Sequence, residues 1–272
     1  MLEITVLASG SAGNSVLVRC GTTTLLIDAG LSARRLRERL SACHVTPESL
    51  DGILLTHEHG DHTGALNVLC AKTDIPLFAN RMTATALSSG PLGNHRHWRY
   101  FSKASFSIGD CTIESFSVPH DAVEPVGFLV HNATATFGLV TDLGHTTPAI
   151  LERLRHADAL FVETNHDEDL LAKDERRPWS VKQRILSRHG HLSNAAAAQV
   201  VSDCTTDRLR HVFIGHLSRD CNTPDLATAA ITGALVSSDR SDVAVHCSVQ
   251  ETIGPSVRLG PPAREVQATL AI

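Results

Sequence analysis

The feature that most constrains this chain is a run of four potential metal ligands within six residues, His57–His62, which reads HEHGDH. The run directly follows Ile53–Thr56, a short apolar stretch typical of a buried strand. From a loop at the end of that strand, the two histidines His57 and His59 can aim at one ion, and Asp61 with its neighbour His62 at a second. Imidazole nitrogen and carboxylate oxygen are ligands of Zn²⁺, and the same mixed set suits Mn²⁺ or Fe²⁺. A solvated histidine-rich turn is the alternative, but it fits poorly with a run that ends an apolar strand.

The composition indicates a globular enzyme rather than a disordered or fibrous chain, with 272 residues, 42% hydrophobic and 19% charged. Because aromatic residues make up only 4%, we expect Val, Leu, Ile and Ala to fill most of the core. The formal net charge of −5 argues against a general polyanion-binding surface, so any contact with nucleic acid must use local basic patches. The seven cysteines form no C-x-x-C pair and are interpreted as reduced thiols that serve as small core residues.

No part of the sequence indicates membrane insertion or a second domain. The first residues enter an apolar strand without a basic segment or cleavage site, and no apolar run reaches the ~18 residues that a bilayer requires. We therefore expect a cytoplasmic protein with no membrane partner. Since no stretch rich in Pro, Gly or Ser divides the chain, we expect one domain over residues 1–272. A homo-oligomer is left open.

Short β-rich and helical patterns alternate along the chain, which predicts two packed sheets covered by helices. The predicted strands are Ile4–Ala8, Ser15–Arg19, Thr24–Asp28, Ile53–Thr56, Ala104–Ile108, Thr112–Val118, Gly127–Val130, Thr136–Thr141, Ala159–Glu163, Arg210–Gly215 and Asp242–Cys247. The clearest predicted helices are Ser32–Leu40, Pro148–Arg155, Ser193–Ser202 and Asp225–Val236, and shorter mixed patterns cover Thr63–Ala71, Pro76–Ala79 and Met82–Leu87.

The run His57–His62 resembles the H-x-H-x-D-H signature of the metallo-β-lactamase superfamily. The resemblance implies an α/β (α+β) fold, an αββα sandwich of two mixed β-sheets flanked by helices, with two divalent metal ions that activate a hydroxide. In that family a further His, a bridging Asp and a last His complete the site, and three residues that follow predicted strands occur here in that order: His120, Asp142 and His216. The implied metal ligands are His57, His59 and His120 for one ion, Asp61, His62 and His216 for the other, and Asp142 between them.

The identity of one ligand and the intervals between ligands indicate which branch of the superfamily the chain resembles. Enzymes that destroy β-lactams usually carry Cys in place of Asp142 and are secreted. Asp142 comes 22 positions after His120, too few for the long arm of ribonuclease Z, and His216 comes 74 positions after Asp142, too few for a β-CASP insert. The chain is most similar to the WalJ (YycJ-like) branch, bacterial metallohydrolases linked to DNA exonuclease activity. That similarity includes Leu7–Ser15, Leu26–Gly30, Glu163–Asp167, Gly190–Asn194 and His216–Asp220.

Further candidates surround the predicted ligands. Asp61 is counted as a catalytic residue as well as a ligand. By similarity to ribonuclease Z, His191 would protonate the leaving oxygen, although a surface residue beside a helix cap is an equal alternative. Glu163 and His166 would orient that histidine or line the pocket, as would His145. Asp28, at a strand end, is expected to hydrogen-bond a metal-binding histidine.

Three polar segments bear on the substrate, each with two interpretations. The turn Ser9–Ser15, which contains Asn14, either exposes backbone N–H groups to a phosphate or is a tight hairpin turn. The basic runs Lys173–Arg188 and His95–Tyr100 either contact nucleic acid or are solvated surface. A third basic series is interpreted as a solvated helix surface: Arg34, Arg35, Arg37 and Arg39.

The function that we expect from the sequence is a metal-dependent phosphodiesterase with DNA as its nucleic-acid substrate, trimming from a 5′ end. Two alternatives stay open. One is a hydrolase of small esters, thioesters or cyclic phosphodiesters, because the same site can attack a carbonyl. The other is a binding or regulatory protein that retains metals without turnover, although the complete ligand set argues against it.

Overall fold

The computed structural model describes residues 1–90, 92–93, 95–102 and 105–260. A first seven-stranded sheet has the order β14-β1-β2-β3-β4-β5-β6. Its strands are β1 (Leu2–Ala8), β2 (Ser15–Cys20), β3 (Thr23–Ile27), β4 (Gly52–Leu54), β5 (Leu77–Ala79), β6 (Trp98–Tyr100) and β14 (Ser256–Leu259). The helices on this half of the chain are α1 (Ala33–Ala42), α2 (Gly60–Thr63), α3 (Leu66–Cys70) and α4 (Arg81–Ser88), with a 3₁₀ turn at Pro47–Ser49.

A second seven-stranded sheet has the order β13-β12-β11-β10-β9-β8-β7. Its strands are β7 (Ser105–Ile108), β8 (Cys111–Ser117), β9 (Val126–His131), β10 (Thr136–Val140), β11 (Ala159–Glu163), β12 (His211–Gly215) and β13 (Ala244–Cys247). The helices that accompany it are α5 (Pro148–Leu154), α6 (Glu168–Lys173), α7 (Trp179–Ile185), α8 (Asn194–Cys204) and α9 (Pro224–Ser237).

The two sheets pack face to face, and each buries its outer face beneath helices. Strand β2 illustrates the pattern: Val16 and Val18 join the core between the sheets, whereas Leu17 joins the core beneath α1 and α3. Successive side chains of a strand point to opposite faces, so a strand buried on both sides is apolar throughout. A third core lies between the second sheet and the helices α5, α8 and α9. This is the predicted arrangement of two mixed sheets flanked by helices, which is confirmed.

Strand direction brings the ends of many strands to one edge of the sandwich. In the first sheet, β3, β4 and β5 are parallel to one another, and β1 points the same way because two antiparallel pairings separate it from β3. In the second sheet, β10, β11 and β12 are parallel, and β8 shares their direction for the same reason. Residues that follow these strands therefore meet at one edge.

Four elements were not predicted: β6, β14, α6 and α7. Strands β6 and β14 are short and lie at the edges of the first sheet, and helix α7 buries only Lys182. These three elements therefore show no clear apolar periodicity in the sequence. The pattern at Thr63–Ala71 contains the short helix α3, and α2 is a separate turn of helix that ends where this pattern begins. The predicted strand Ala104–Ile108 begins at Ser105 in β7, because position 104 lies outside the described residues.

The expectation that the arginines of α1 are all solvated is wrong for Arg39. This side chain is buried, and it donates hydrogen bonds to the carbonyls of Leu7 and Gln250, the second at 2.8 Å. Arg34, by contrast, is exposed and pairs with Glu38 one turn later, at 3.1 Å. None of the helices in the described residues has the length and hydropathy needed to cross a membrane.

Candidate metal centre

The first cluster of potential ligands consists of His57, His59 and His120. One ring nitrogen from each lies within 4.8 Å of the others. His57 and His59 follow β4, and their Nε2 and Nδ1 atoms are 3.0 Å apart. His120 follows β8 and donates from Nδ1 to the carbonyl of Gly190 at 3.1 Å, which directs Nε2 to the cluster. That Nε2 is buried and has no hydrogen-bond partner among the described residues.

The second cluster consists of Asp61, His62 and His216, whose ligand atoms also lie within 4.8 Å of one another. Asp61 and His62 belong to α2, the single turn of helix that follows the first two histidines. His216 follows β12, and its Nε2 lies 3.3 Å from Oδ2 of Asp61. The two sheets thus each supply ligands to the same cluster.

Asp142, which follows β10, lies between the two clusters. Its Oδ2 is 3.1 Å from Nε2 of His62, and its Oδ1 is 3.6 Å from Nε2 of His120. The side chain is buried, and Oδ1 also lies 3.7 Å from Nε2 of His216, so Asp142 is close to histidines of both clusters. A carboxylate in this position can bridge two cations.

The backbone is left-handed at three of these strand ends, with φ of 58° at Asp28, 52° at Asp142 and 57° at His216. Outside glycine this conformation is uncommon and costs on the order of 1 kcal/mol or more at each residue. It turns each side chain toward the centre immediately after its strand ends. Such strain persists only where the surrounding structure holds it, and it concentrates at functional sites.

Asp28 anchors His62 of the second cluster from behind. Its Oδ2 accepts a hydrogen bond from Nδ1 of His62 at 2.7 Å, and its Oδ1 accepts one from the backbone N–H of Thr56 at 2.9 Å. The Nδ1 proton of His62 is thereby fixed, and Nε2 is left for the cluster. The hydrogen bond to a histidine is the contact that was predicted for Asp28, and metal binding by that histidine stays a prediction.

Glu163, the last residue of β11, performs the same task for two histidines. Its Oε1 accepts hydrogen bonds from Nδ1 of His191 at 2.7 Å and from Nδ1 of His216 at 2.8 Å. Its Oε2 accepts the backbone N–H of Leu143 at 2.9 Å. Although burial raises the pKa of Glu163, the two histidines outweigh it and lower the pKa to about 2.

The electrostatics of the centre fit divalent cations. Burial lowers the pKa of His57 and of His120, so these rings are neutral, which is the form that binds a metal. Burial also opposes charge on His62, but the carboxylates of Asp142 and Asp28 outweigh it and raise its pKa to about 10. The buried carboxylates therefore stabilise positive charge at this position. Together with the unpartnered Nε2 of His120, this donor set is suited to holding divalent metal ions.

Two histidines that were considered lie outside the centre. His166 is buried, and neither ring nitrogen has a hydrogen-bond partner among the described residues, so it does not orient His191 as Glu163 does. His145 is half-buried, and both of its ring nitrogens contact Arg188, at 2.8 and 2.9 Å. In the sequence, nothing distinguished these two histidines from Glu163 as candidates for orienting His191.

The turn Ser9–Ser15 supports the centre structurally. Within it, the N–H groups of Gly10, Ala12 and Gly13 are already bonded to protein oxygens, which favours the tight-turn interpretation over a phosphate cradle. Asn14 lies at the centre of this arrangement, with Nδ2 3.2 Å from Nε2 of His62. Ser9 accepts the backbone N–H of His216 at 2.7 Å, which joins the turn to the second sheet.

Part of the basic run Lys173–Arg188 is paired within the protein. Arg176 and Arg177 pair with Asp174 and Asp220. Lys182 is buried and donates to the carbonyl of Ala172 at 2.8 Å. The solvated-surface interpretation fits the four exposed basic residues of this run, Lys173, Arg176, Arg184 and Arg188, while the ion pairs offset part of its charge.

A cavity of about 190 Å³ opens onto the centre. Besides the potential ligands and His191, its lining contains Ser11 from the turn Ser9–Ser15 and Arg177 and Arg184 from the basic run Lys173–Arg188. Three further lining residues were not predicted to take part: Asn165, Ile185 and Ser218. A larger groove of about 830 Å³ lies between β8 and α5, but its lining includes no histidine, cysteine or aspartate. The smaller cavity, which contains the potential metal ligands, is therefore the candidate active site.

Comparison with known proteins adds the family context. A family model described as the beta-lactamase superfamily domain matches residues 23–214. Exodeoxyribonuclease YycJ of Bacillus anthracis is 37% identical over 236 residues, which span 86% of this chain and 89% of that protein. Exodeoxyribonuclease WalJ of Streptococcus pneumoniae serotype 2 (strain D39) is 35% identical over 254 residues, 92% of this chain and 94% of that protein.

Solved structures are similar in fold at lower sequence identity. The metallo-β-lactamase fold protein YhfI from Bacillus subtilis matches with a TM-score of 0.72 at 16% identity, over 93% of this chain and 99% of that chain. At 16% identity the match shows only that the two proteins share the arrangement of sheets and helices.

Proposed function

The chain belongs to the metallo-β-lactamase superfamily, and from that premise we propose that it is a metal-dependent phosphodiesterase that shortens DNA from an end, in the 5′-to-3′ direction. The observation that carries the proposal is the convergence of His57, Asp142 and five further potential ligands at one edge of the sandwich. The choice of DNA is supported by two relatives that are named exodeoxyribonucleases and that align with most of this chain.

We assign two divalent ions, Zn²⁺ or alternatively Mn²⁺ or Fe²⁺, to the two clusters. His57, His59 and His120 would hold one ion, and Asp61, His62 and His216 the other. Asp142 would bridge them, in keeping with its oxygens 3.1 and 3.6 Å from a histidine of each cluster. When bound, such a pair supplies a hydroxide nucleophile at neutral pH and offsets the charge that develops on a phosphate.

The surrounding side chains prepare this centre for phosphodiester cleavage. Asp28 fixes the tautomer of His62, and Glu163 fixes that of His216, so both rings keep Nε2 free of these carboxylates and would offer it to the ions. Glu163 also holds Nδ1 of His191, whose side chain is 20% exposed and lines the cavity. We assign to His191 the proton that the leaving oxygen needs, since an alkoxide leaves poorly without one.

The test is a metal-loaded assay on end-labelled DNA, beside an Asp142→Ala variant. The wild-type protein is expected to shorten the DNA stepwise, and the label position reports polarity, because a 5′-labelled strand loses its label first if degradation starts at that end. The variant is expected to be inactive and to bind less metal by elemental analysis. Intact DNA with the fully metal-loaded wild type would refute the exonuclease assignment.

A second candidate is a hydrolase of small esters, thioesters or cyclic phosphodiesters. The small cavity favours it, because about 190 Å³ accommodates a phosphate or a small ester but not several nucleotides. A nucleic-acid substrate would have to lie mostly outside the cavity. Parallel assays with a phosphodiester and a thioester reporter separate the two functions.

A further inference from the structure

Arg184, a basic residue of the run Lys173–Arg188, lines the cavity with both terminal nitrogens of its guanidinium unengaged by the described residues. It belongs to the last turn of α7 and lines the cavity together with His59, His120 and Asp142. Its side chain is 63% exposed. Among the described residues its only hydrogen-bonding partner is Asp121, which contacts Nε, so neither terminal nitrogen is engaged. Two N–H-bearing nitrogens of a fixed guanidinium are thus available at the mouth of the cavity.

Arg177 is the other arginine in the cavity lining, and both of its terminal nitrogens are engaged by protein atoms. Its Nη2 contacts Asp220 at 3.2 Å, and its Nη1 contacts Asp174 and also lies 3.1 Å from Sγ of Cys221. Its charge is balanced by two carboxylates. The cavity lining thus contains one arginine whose charge is committed to the fold and one that can reach a ligand.

Asp121 connects Arg184 to the first histidine cluster. Its Oδ2 contacts Nε of Arg184, while its Oδ1 lies 3.3 Å from Nε2 of His120. Its backbone N–H donates to the carbonyl of His189 at 3.1 Å, which fixes the loop that carries it. A long, rotatable side chain is thereby held beside the metal-binding nitrogens.

We propose that Arg184, positioned by Asp121, binds a non-bridging phosphate oxygen of the substrate and so selects phosphodiesters over neutral esters; the inference rests on the proposed function. A phosphodiester carries a full negative charge beside the bond that breaks, whereas a carboxylic ester or thioester carries none. Guanidinium recognises phosphate through paired, charge-assisted hydrogen bonds, which a lysine ammonium does not reproduce. Arg184 is a binding residue in this proposal, and Asp121 is a positioning residue.

The experiment compares kcat and KM for bis(p-nitrophenyl) phosphate and p-nitrophenyl acetate in the metal-loaded wild type and in Arg184→Ala, Arg184→Lys and Asp121→Asn. Arg176→Ala is the matched control, because it removes the same charge from the same segment but from a residue outside the cavity lining. The ratio of phosphodiester to ester kcat/KM is expected to fall about 10- to 100-fold in Arg184→Ala, the size of one charged hydrogen bond. The ratio for Arg184→Lys and for Asp121→Asn is expected to lie between the wild-type value and that of Arg184→Ala.

Binding of a fluorescent oligonucleotide, measured by anisotropy in the Asp142→Ala background, provides a readout that does not depend on turnover. Adding Arg184→Ala is expected to weaken binding and to lower the slope of log affinity against log salt by about 1. An unchanged ratio and unchanged affinity in Arg184→Ala, or equal losses in Arg176→Ala, would overturn the inference. Should the wild type leave DNA intact yet show the expected reporter ratio, the exonuclease proposal fails while this inference stands.

Discussion

Glu163 accepts a hydrogen bond from His191 over 2.7 Å, and the same carboxylate oxygen accepts one from His216 at 2.8 Å. One buried carboxylate therefore orients both a potential metal ligand and the side chain assigned to proton donation. Because the two histidines come from different segments of the chain, Glu163 connects the candidate metal centre to the proposed general acid.

Glu163→Gln is expected to lower kcat on a phosphodiester reporter by about 10- to 100-fold, because the amide carries no charge to support either imidazole. The measurement is steady-state kinetics with metal content determined on the same samples. Glu168→Gln is the control, since Glu168 accepts from Ser193 and not from a histidine of the centre. Wild-type kcat in Glu163→Gln would contradict the orienting role.

Asp28→Asn is expected to weaken metal binding by about 10- to 100-fold, because the carboxylate that holds Nδ1 of His62 is replaced by a neutral amide. Competition with a coloured chelator measures the affinity. Asp51→Asn serves as control, because Asp51 is exposed and caps only the N–H of Thr24. Equal affinities in the two variants would remove Asp28 from the metal-binding machinery.

Gly30→Ala is expected to destabilise the fold by about 3 kcal/mol or more, because a Cβ at this position would lie 1.6 Å from the carbonyl oxygen of Asp61. The loop that carries Asp61 would have to move, so metal content is expected to fall as well. Urea denaturation measures the free energy of unfolding.

Gly233→Ala is the matched control for Gly30→Ala. A Cβ at Gly233 meets nothing within 4 Å, and the residue lies inside α9. Alanine there is expected to stabilise the protein by about 0.5–1 kcal/mol, since glycine is the poorer helix former. Similar unfolding free energies for the two variants would show that the close approach of Gly30 to Asp61 is not needed.

The stability of the sheet edge is expected to depend on pH through Glu3. Although burial raises the pKa of Glu3, hydrogen bonds from Arg258 at 2.6 Å and Arg19 at 2.9 Å outweigh it and lower the pKa below its ordinary value of 4.5. A lowered pKa in the folded state adds stability that is complete above the unfolded value. That stability is lost as the pH falls through the folded value.

Glu3→Gln is therefore expected to be less stable than the wild type by about 1 kcal/mol at pH 7, a figure kept small because both arginines are partly exposed. The difference is expected to shrink as the pH falls below 4.5. Chemical denaturation across pH 3–7 checks this, with Glu38→Gln, an exposed helical pair, as control. A difference that is constant with pH would exclude the ionic contribution.

Much of the centre could be predicted from the sequence because its residues follow recognisable strands. His57, His120, Asp142 and His216 each come directly after or soon after a short apolar run, and the run HEHGDH led to the family that the comparisons confirm. The order of ligands along the chain predicted which strand ends would meet. Parallel strand direction is the physical reason, because it carries those ends to one edge.

Other features depended on contacts between distant segments, which no local pattern records. The basic runs of α1 and α7 look alike in sequence, yet Arg39 is buried against Leu7 and Gln250 while Arg184 stands at the cavity mouth. Likewise Glu163 and His166 are three positions apart, and only Glu163 reaches the histidines of the centre.

The run His57–His62 carried the resemblance that implied the fold and the potential ligands, and the predicted strands placed the remaining ligands at strand ends. Tertiary structure decided which charges are paired, which carboxylate contacts each imidazole and which arginines line the cavity. The reason is physical: periodicity and strand ends are properties of neighbouring residues, whereas ion pairing and burial depend on how separate elements pack.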